Sequence, residues 1–110
     1  MGTIIANPAE YDGKLVTIKG WASVWHEDYG IWATQDDYRK RNRKNCISLL
    51  NSYNDDALNE PVDRKEVLVT GIFYRDAYRD KDGRPVVLLG SCSRLGIQFS
   101  EPEGLRRFFN

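Results

Sequence analysis

Apolar and polar residues alternate over much of the chain, and this period of two is typical of β-strands. Between residues 14 and 20, Val16 and Ile18 fall on one face of such a strand while Thr17 and Lys19 fall on the other. The same strand continues to Trp25. The pattern predicts four further strands, over residues 29–33, 45–50, 67–74 and 86–89, the last of them extended by residues 91–99.

Two of these strands share one sequence pattern. An aspartate, a lysine, two apolar residues and a glycine occupy alternate positions over residues 12–20, and the same order returns over residues 63–71. A glycine inside a strand usually marks a bulge or a sharp bend. The repeat therefore predicts two long strands that curl around a small closed sheet.

Helix and turn signals separate the strands. In residues 1–13, Asn7 as N-cap and Pro8 at the first helical position predict a single capped turn. Residues 36–41 predict a polar helix, because its acidic first turn and basic last turn suit the helix dipole. Residues 51–61 are predicted as a loop, 80–83 as a hairpin turn and 100–110 as a C-terminal tail.

Five strands, bends marked by glycine and one inserted helix are typical of a small barrel of the oligonucleotide/oligosaccharide-binding (OB) type. We expect an all-β fold with one inserted helix, a five-stranded OB-like β-barrel that forms a single domain over residues 1–110. Trp21 and Trp32 are expected to pack in its core. An SH3-like barrel, or a sandwich with an added helix, is the alternative architecture.

Composition narrows the class of protein. The chain has 110 residues, of which 16 are basic and 16 acidic, so its net charge is zero. A charged fraction of 29% excludes a membrane-embedded chain, and a hydrophobic fraction of 41% argues against disorder. Zero net charge removes the overall positive charge of many nucleic-acid-binding proteins, although a local basic patch is compatible with it.

The N-terminus gives one indication of cellular location. It lacks the basic region and apolar core of a signal peptide. The sequence as written therefore predicts a cytoplasmic protein. A periplasmic or exported location is expected instead if a leader was removed before Met1.

Cys46 and Cys92 are the only cysteines, and both lie in apolar, strand-like runs. They fit either two small buried thiols or a disulfide that closes a long loop, and a disulfide would indicate export. With His26, the single histidine, they do not complete the ligand set of a structural zinc site. We expect no metal, no cofactor and no catalytic residues, and His26 is expected to be a solvated residue at a turn.

The densest charge in the chain is a basic run formed by Arg39, Lys40, Arg41, Arg43 and Lys44. Acidic residues flank this run on both sides, so it fits either a solvated helix end or a contact surface for an acidic protein or a nucleic acid. Trp25 and Tyr29 lie near predicted loop tips, where aromatic side chains are available to a partner.

The segment Ile5–Gly20, IANPAEYDGKLVTIKG, resembles the opening "ANPxxYDGKxVxVxG" of small, largely uncharacterised bacterial OB-fold-like proteins. Residues 36–38, 45–49 and 67–71 are similar to later parts of the same pattern. The resemblance implies the OB-like fold and the export or lipid anchoring of many relatives. It supplies no catalytic residues, and the basic run is denser than the pattern.

These features together predict a non-catalytic binding module that recognises a protein partner, for example an inhibitor or immunity-type protein. The expected contact residues are Trp25, Tyr29, Arg39, Lys40, Arg41, Arg43 and Lys44. The alternative function is single-stranded nucleic-acid binding through the barrel face and the basic segment 39–44, in which exposed rings stack on bases. The partner's identity and the oligomeric state stay open.

Overall fold

The computed structural model describes residues 1–25, 27–53, 55–80 and 82–109 of the chain. His26 therefore lies outside the described residues, as does Lys81 of the predicted hairpin turn. The strands are β1 (Leu15–Trp25), β2 (Asp28–Trp32), β3 (Cys46–Leu49), β4 (Glu66–Tyr74), β5 (Gly96–Phe99) and β6 (Leu105–Arg107). The helices are α1 (Gly2–Ala6), α2 (Pro8–Tyr11), α3 (Gln35–Lys40) and α4 (Asp56–Asn59), with a 3-10 turn at Arg43–Asn45.

Five strands close into a barrel in the order β1-β2-β3-β5-β4-β1. Neighbouring strands are antiparallel except β3 and β5, which run parallel. The sixth strand, β6, lies outside the barrel and pairs with residues 67–69 of β4. The predicted fold class, a small all-β OB-like barrel with few helices, is confirmed.

The two long strands predicted from the repeated pattern are β1 and β4, and they pair with each other from Leu15↔Ile72 to Trp21↔Glu66. The glycines that end the two copies of the pattern both lie where backbones approach closely. A Cβ atom at Gly20 would stand 2.6 Å from the carbonyl oxygen of Trp32, and one at Gly71 would stand 2.1 Å from that of Gln98. Glycine at these positions thus lets the strands curl tightly enough to close the barrel.

The main core cluster consists of branched aliphatic side chains and the rings of Tyr53, Phe73 and Phe99. Phe73 and Ile97 are fully buried there, as are inward residues from β1, β2 and β3. A second, smaller cluster lies on the outer side of β1–β3, where Trp32 and the two cysteines are buried under α3. Trp32 is core, as predicted, while Trp21 is half-buried against this outer cluster.

The fifth strand was predicted at residues 86–89 with an extension over residues 91–99, and only the end of that extension forms a strand. Strand β5 begins at Gly96, because the backbone of Ser48 and Leu49 pairs with residues 96–97 and the Asn51 side chain holds Phe99 through two hydrogen bonds. Residues 86–89 form no ladder of their own, although Val86 N–H donates to the Tyr78 carbonyl at 2.7 Å.

Three other segments carry more structure than the sequence predicted. Residues 1–13 form two short helices, and the Asn7 side chain donates to the Thr3 carbonyl instead of capping the second helix. The predicted loop 51–61 contains α4, and the segment 100–110 contains β6. None of the helices within the described residues has both the length and the apolar character needed to cross a membrane.

Candidate functional site

Helix α3 is held at its beginning by a reciprocal cap. The Thr34 hydroxyl accepts a hydrogen bond from the Asp37 N–H at 3.1 Å and donates one to the Asp37 carboxylate at 2.8 Å. The same carboxylate accepts from the side-chain amides of Asn42 and Asn45. The Thr34 hydrogen bond is the main reason that the pKa of Asp37 lies below its ordinary value, and the asparagine amides act in the same direction. Asp37 therefore joins α3 to the turn that carries the rest of the basic run.

Arg41 ends the helix in a left-handed conformation and points back across it. Its guanidinium forms two hydrogen bonds with the Asp28 carboxylate, at 2.9 and 3.0 Å, and stacks 4.7 Å above the Trp32 ring. These hydrogen bonds raise the pKa of Arg41. The predicted contact residue Arg41 thus pins α3 to β2, and its charge is already paired within the molecule.

The outer face of the sheet between β2 and β3 is covered by the protein itself. Cys46 and Cys92 form a disulfide on this face, so the bridged alternative is the one found. The Ser48 hydroxyl holds the adjoining segment, because it accepts from the N–H groups of Cys92 and Ser93 at 3.1 Å each. OB-folds commonly bind their ligands on this face. Here the disulfide, Tyr38 and Arg41 occupy it.

An open groove runs beside this covered face, between α3 and the turn that precedes β4. It consists of two adjoining cavities of about 430 and 710 Å³ that share Tyr38, Asp63 and Arg64 in their walls. Trp25 lines the first cavity and is 40% exposed, and Trp21 lines the second. We call this feature the aromatic groove, because three aromatic side chains line it.

The walls of the aromatic groove carry three basic and three acidic side chains. Arg39 on α3 and Lys65 on the facing turn have no ion-pair partner among the described residues, while Arg64 lies 3.3 Å from the Asp63 carboxylate. The Asp63 carboxylate also accepts from the Val24 N–H at 2.9 Å, so it is fixed in place. The other carboxylates of the walls are Glu60 and Asp28, and Asp28 is paired with Arg41. A bound molecule would therefore meet aromatic rings together with available guanidinium and ammonium donors.

The backbone around the groove is strained. Arg64 has φ +54° and Arg41 has φ +55°, and with Glu27 they are the non-glycine residues of positive φ in the described part of the chain. Such conformations cost free energy for a residue with a Cβ and tend to occur where a site is being shaped. The Arg64 N–H donates to the Ala22 carbonyl at 2.8 Å, which fixes that turn against β1.

One buried donor borders the same groove. The indole N–H of Trp21 is the buried side-chain polar atom without a hydrogen-bond partner among the described residues. An unsatisfied buried donor costs about 1–3 kcal/mol. A hydrogen-bond acceptor supplied by a bound molecule, after a small movement of the ring, would relieve that cost.

The predicted contact residues do not form one surface. Trp25 and Arg39 both line the aromatic groove, whereas Lys40 pairs with Asp36 on the solvent side of α3 at 3.1 Å. Arg43 and Lys44 are exposed on the 3-10 turn and have no partner among the described residues. Tyr29 lies apart from Trp25. It packs against the barrel interior and lines a separate cavity of about 360 Å³ beneath residues 87–91.

Sequence reasoning missed residues at the aromatic groove and at the separate cavity beneath residues 87–91. Arg64 and Lys65 enter the groove from the turn before β4. Lys65 belongs to the repeated pattern of residues 63–71, but that pattern was interpreted only as a strand signal. Val87 and Leu89 are 89% and 71% exposed, and their apolar run was interpreted as a strand. The proline and glycine that flank this run, Pro85 and Gly90, were the available signal for an irregular segment.

The comparisons with known proteins add no relative to this picture. No family model matches the chain, and no curated protein or solved structure matches it significantly.

Proposed function

We propose that this protein is a non-catalytic binding module that recognises a protein partner through the aromatic groove. The observation that carries the proposal is the joint placement of Trp25, Tyr38 and Arg39 along one open groove. Tryptophan, tyrosine and arginine are the residues that most often dominate the free energy of protein–protein binding. An inhibitor or immunity-type protein is one kind of module that would use such a groove.

The balance of charge fits a protein partner. The groove is lined by arginine and aromatic side chains, while the chain as a whole carries zero net charge. Protein interfaces combine an aromatic core with a polar rim in this way. The partner is expected to present acidic and apolar side chains to Arg39, Lys65 and Trp25.

We also propose that the protein works in an oxidising compartment, outside the cytoplasm. The Cys46–Cys92 disulfide supports this proposal, because disulfides persist in such compartments and are rare in the cytosol. The test is alkylation of free thiols in intact cells followed by mass measurement. Both cysteines are expected to escape alkylation until a reductant is added. Alkylation of both without reductant would contradict the proposed location.

Photo-cross-linking tests the protein-binding proposal. A photoreactive amino acid is placed at position 35, in the groove wall, and for comparison at position 58, where Leu58 is exposed but does not line the groove. We expect a protein adduct from position 35 that disappears when Trp25→Ala is added. Equal adducts from both positions, or an adduct that survives Trp25→Ala, would contradict the proposal.

The groove also keeps single-stranded nucleic acid as the second candidate, because the exposed Trp25 ring lies in one groove with Arg39. Bases stack on such rings, and the phosphates would use Arg39, Arg43 and Lys44, which have no ion-pair partner in the part of the chain that the structure describes. Titration of the tryptophan fluorescence with mixed-sequence DNA and RNA tests this. Three phosphate contacts on a single strand give a slope of log K against log salt of about −2. Absence of quenching at low salt would remove this candidate.

A further inference from the structure

A third cavity continues the aromatic groove along the outer face of β1. It encloses about 320 Å³ and shares Trp21 and Gln35 with the second cavity of the groove. The Lys19–Glu66 ion pair, with its charged atoms 2.8 Å apart, lies in its wall. We call the three cavities together the β1 channel, because each of them is lined by outward residues of that strand.

The β1 channel has the length and spacing of an extended chain. The side chains of Lys19, Trp21 and Trp25 alternate along β1 with residues that are buried in the barrel, so they lie on one face of the strand. Six residue steps separate Lys19 from Trp25, and at about 3.3 Å per step the channel is about 20 Å long. An extended segment of about seven residues spans that length.

The charges of the β1 channel favour an occupant with one acidic group. Arg39, Lys65 and Glu60 line the second cavity and have no ion-pair partner among the described residues. The other carboxylates of the channel are already paired with a cation of this chain, in the pairs Asp28–Arg41, Asp63–Arg64 and Lys19–Glu66. Two positive charges against one negative charge leave an excess that a single carboxylate of the occupant would balance.

The same balance disfavours a single strand of nucleic acid as the occupant. The walls of the β1 channel carry four cations and four carboxylates, the latter on Asp28, Glu60, Asp63 and Glu66. Because every nucleotide of a single strand adds a phosphate, such a ligand would bring several negative charges past these carboxylates. A peptide carries charge only where its sequence places it.

The indole N–H of Trp21 favours an occupant with a row of hydrogen-bond acceptors. This buried donor has no partner among the described residues, and the Trp21 ring lies where the second and third cavities meet. A polypeptide backbone offers a carbonyl oxygen at every residue. An extended segment therefore brings an acceptor to this point whatever its sequence, and a small rotation of the half-buried ring turns the donor toward it.

We infer that the β1 channel binds an extended segment of the protein partner, about seven residues long, and recognises it as a linear sequence. One acidic side chain of the segment faces Arg39 and Lys65, and an apolar side chain two or four positions away packs on Trp25. Side chains at these even spacings share one face of an extended chain. The inference rests on the proposed protein-binding function and adds to it the form and chemistry of the partner's contact.

Selection from a library of random linear heptapeptides displayed on phage tests this inference. The immobilised whole chain is expected to enrich peptides that have one acidic residue and an apolar residue two or four positions from it. A synthetic copy of the most enriched peptide is then titrated by fluorescence anisotropy. Moving its acidic residue by one position turns the carboxylate to the opposite face of the peptide and should weaken binding about tenfold.

Variants of the protein test the position of the acidic side chain. The double variant Arg39→Gln/Lys65→Gln should weaken binding of the same peptide about tenfold, since both cations face its carboxylate. Glu60→Gln should strengthen binding about threefold, because a neighbouring like charge is removed. The matched control Lys14→Gln/Arg84→Gln removes two exposed cations outside the channel and should leave Kd unchanged. Circular dichroism spectra and thermal melting establish that each variant is folded, which exposed positions permit.

Each contrary outcome overturns the inference. Selection that enriches no peptide, or only peptides without the expected spacing, shows that the channel does not bind a linear segment. Saturable binding of mixed-sequence single-stranded DNA in the absence of any enriched peptide assigns the channel to nucleic acid. Peptide binding that survives Arg39→Gln/Lys65→Gln places the acidic side chain elsewhere. A protein adduct from position 35 that depends on Trp25, without any enriched peptide, removes the linear segment and leaves the proposed function intact, whereas the absence of both removes both.

Discussion

The disulfide sulfur of Cys46 lies directly over Gly30. A Cβ atom at residue 30 would stand 2.8 Å from that sulfur and 2.9 Å from the sulfur of Cys92. Carbon and sulfur atoms that are not bonded do not approach so closely, so glycine at this position makes room for the bridge. The β2 strand and the disulfide are therefore matched parts of one cluster on the outer side of the sheet.

Gly30→Ala is expected to destabilise the fold by about 1–3 kcal/mol, as overpacking of a tight site does. The cost should fall when Cys46 and Cys92 are both replaced by serine, because unbonded serine side chains can move away from the added methyl group. Urea unfolding of the four proteins measures the coupling. Equal costs of Gly30→Ala with and without the disulfide would show that the sulfur contact is not the cause.

Removal of the disulfide is expected to lower the free energy of unfolding by about 4 kcal/mol. The bridge joins residues 46 positions apart, and the loss of loop-closure entropy in the unfolded chain predicts this magnitude. The Cys46→Ser/Cys92→Ser double variant is compared with the wild type under non-reducing conditions. In a matched experiment, reductant is added to both proteins. Only the wild type should lose stability, because only the wild type has a disulfide to reduce. Equal midpoints for the two oxidised proteins would refute the prediction.

Asp37 is expected to make stability fall in acid. Its pKa is lowered in the folded protein, mainly by the Thr34 hydrogen bond, from an ordinary value of 3.8. Because the folded-state pKa is lowered, the ionised Asp37 carboxylate stabilises the fold fully above pH 3.8. This stabilisation is lost as pH falls through the pKa that Asp37 has in the folded protein. In the Asp37→Asn variant, the free energy of unfolding should depend less on pH over this range. Asp82→Asn removes an exposed carboxylate and should leave the pH dependence unchanged. Identical acid profiles for all three proteins would contradict this role.

Tyr53 ties β6 to the barrel. Its hydroxyl donates to the Leu105 carbonyl and accepts from the Leu105 N–H, and its ring packs edge-on against Phe99. Tyr53→Phe leaves two buried backbone groups of Leu105 unpaired, so we expect a loss of about 1–3 kcal/mol in urea unfolding. Tyr74→Phe, at an exposed tyrosine, is the control. A Tyr53→Phe protein as stable as this control would show that the bonds are not needed.

The same tyrosine predicts behaviour in alkali. Burial is the main cause that raises the pKa of Tyr53 above its ordinary value of 10.0. Because the folded-state pKa is raised, the neutral Tyr53 hydroxyl stabilises the fold fully below pH 10.0. This stabilisation is lost as pH rises through the pKa that Tyr53 has in the folded protein. The wild type should therefore lose more stability in alkali than Tyr53→Phe. Parallel alkaline profiles would contradict the assignment.

The long strands of the barrel could be predicted because their signal is local. Alternation around Val16 and Ile18, and the glycines at residues 20 and 71, reflect side chains facing a core and backbones in close approach. The beginning of the fifth strand could not be placed in this way, although β5 lies within the extension predicted over residues 91–99. Residues 86–89 have the stronger β-forming sequence, but the side chain of Asn51 and the backbone of β3 select residues 96–99 instead. Those are long-range contacts without a local pattern.

The candidate site was only partly visible in the sequence for the same reason. Trp25 and Arg39 were selected by residue type, and both line the groove. The basic run was interpreted as one patch, but Arg41 turns inward to Asp28 because the helix ends there in a left-handed residue. Arg64 approaches the groove from a distant turn, and only the closed barrel brings it there.

The central claim is that the aromatic groove binds a protein partner, and the most direct measurement is calorimetric titration of the cross-linked partner once it is purified. Trp25→Ala is expected to weaken binding by about 2 kcal/mol, which is roughly 30-fold in Kd, as loss of a central tryptophan anchor does. Leu15→Ala removes a more exposed side chain on the same strand and should leave Kd unchanged. Equal Kd values for the wild type and Trp25→Ala would contradict the account.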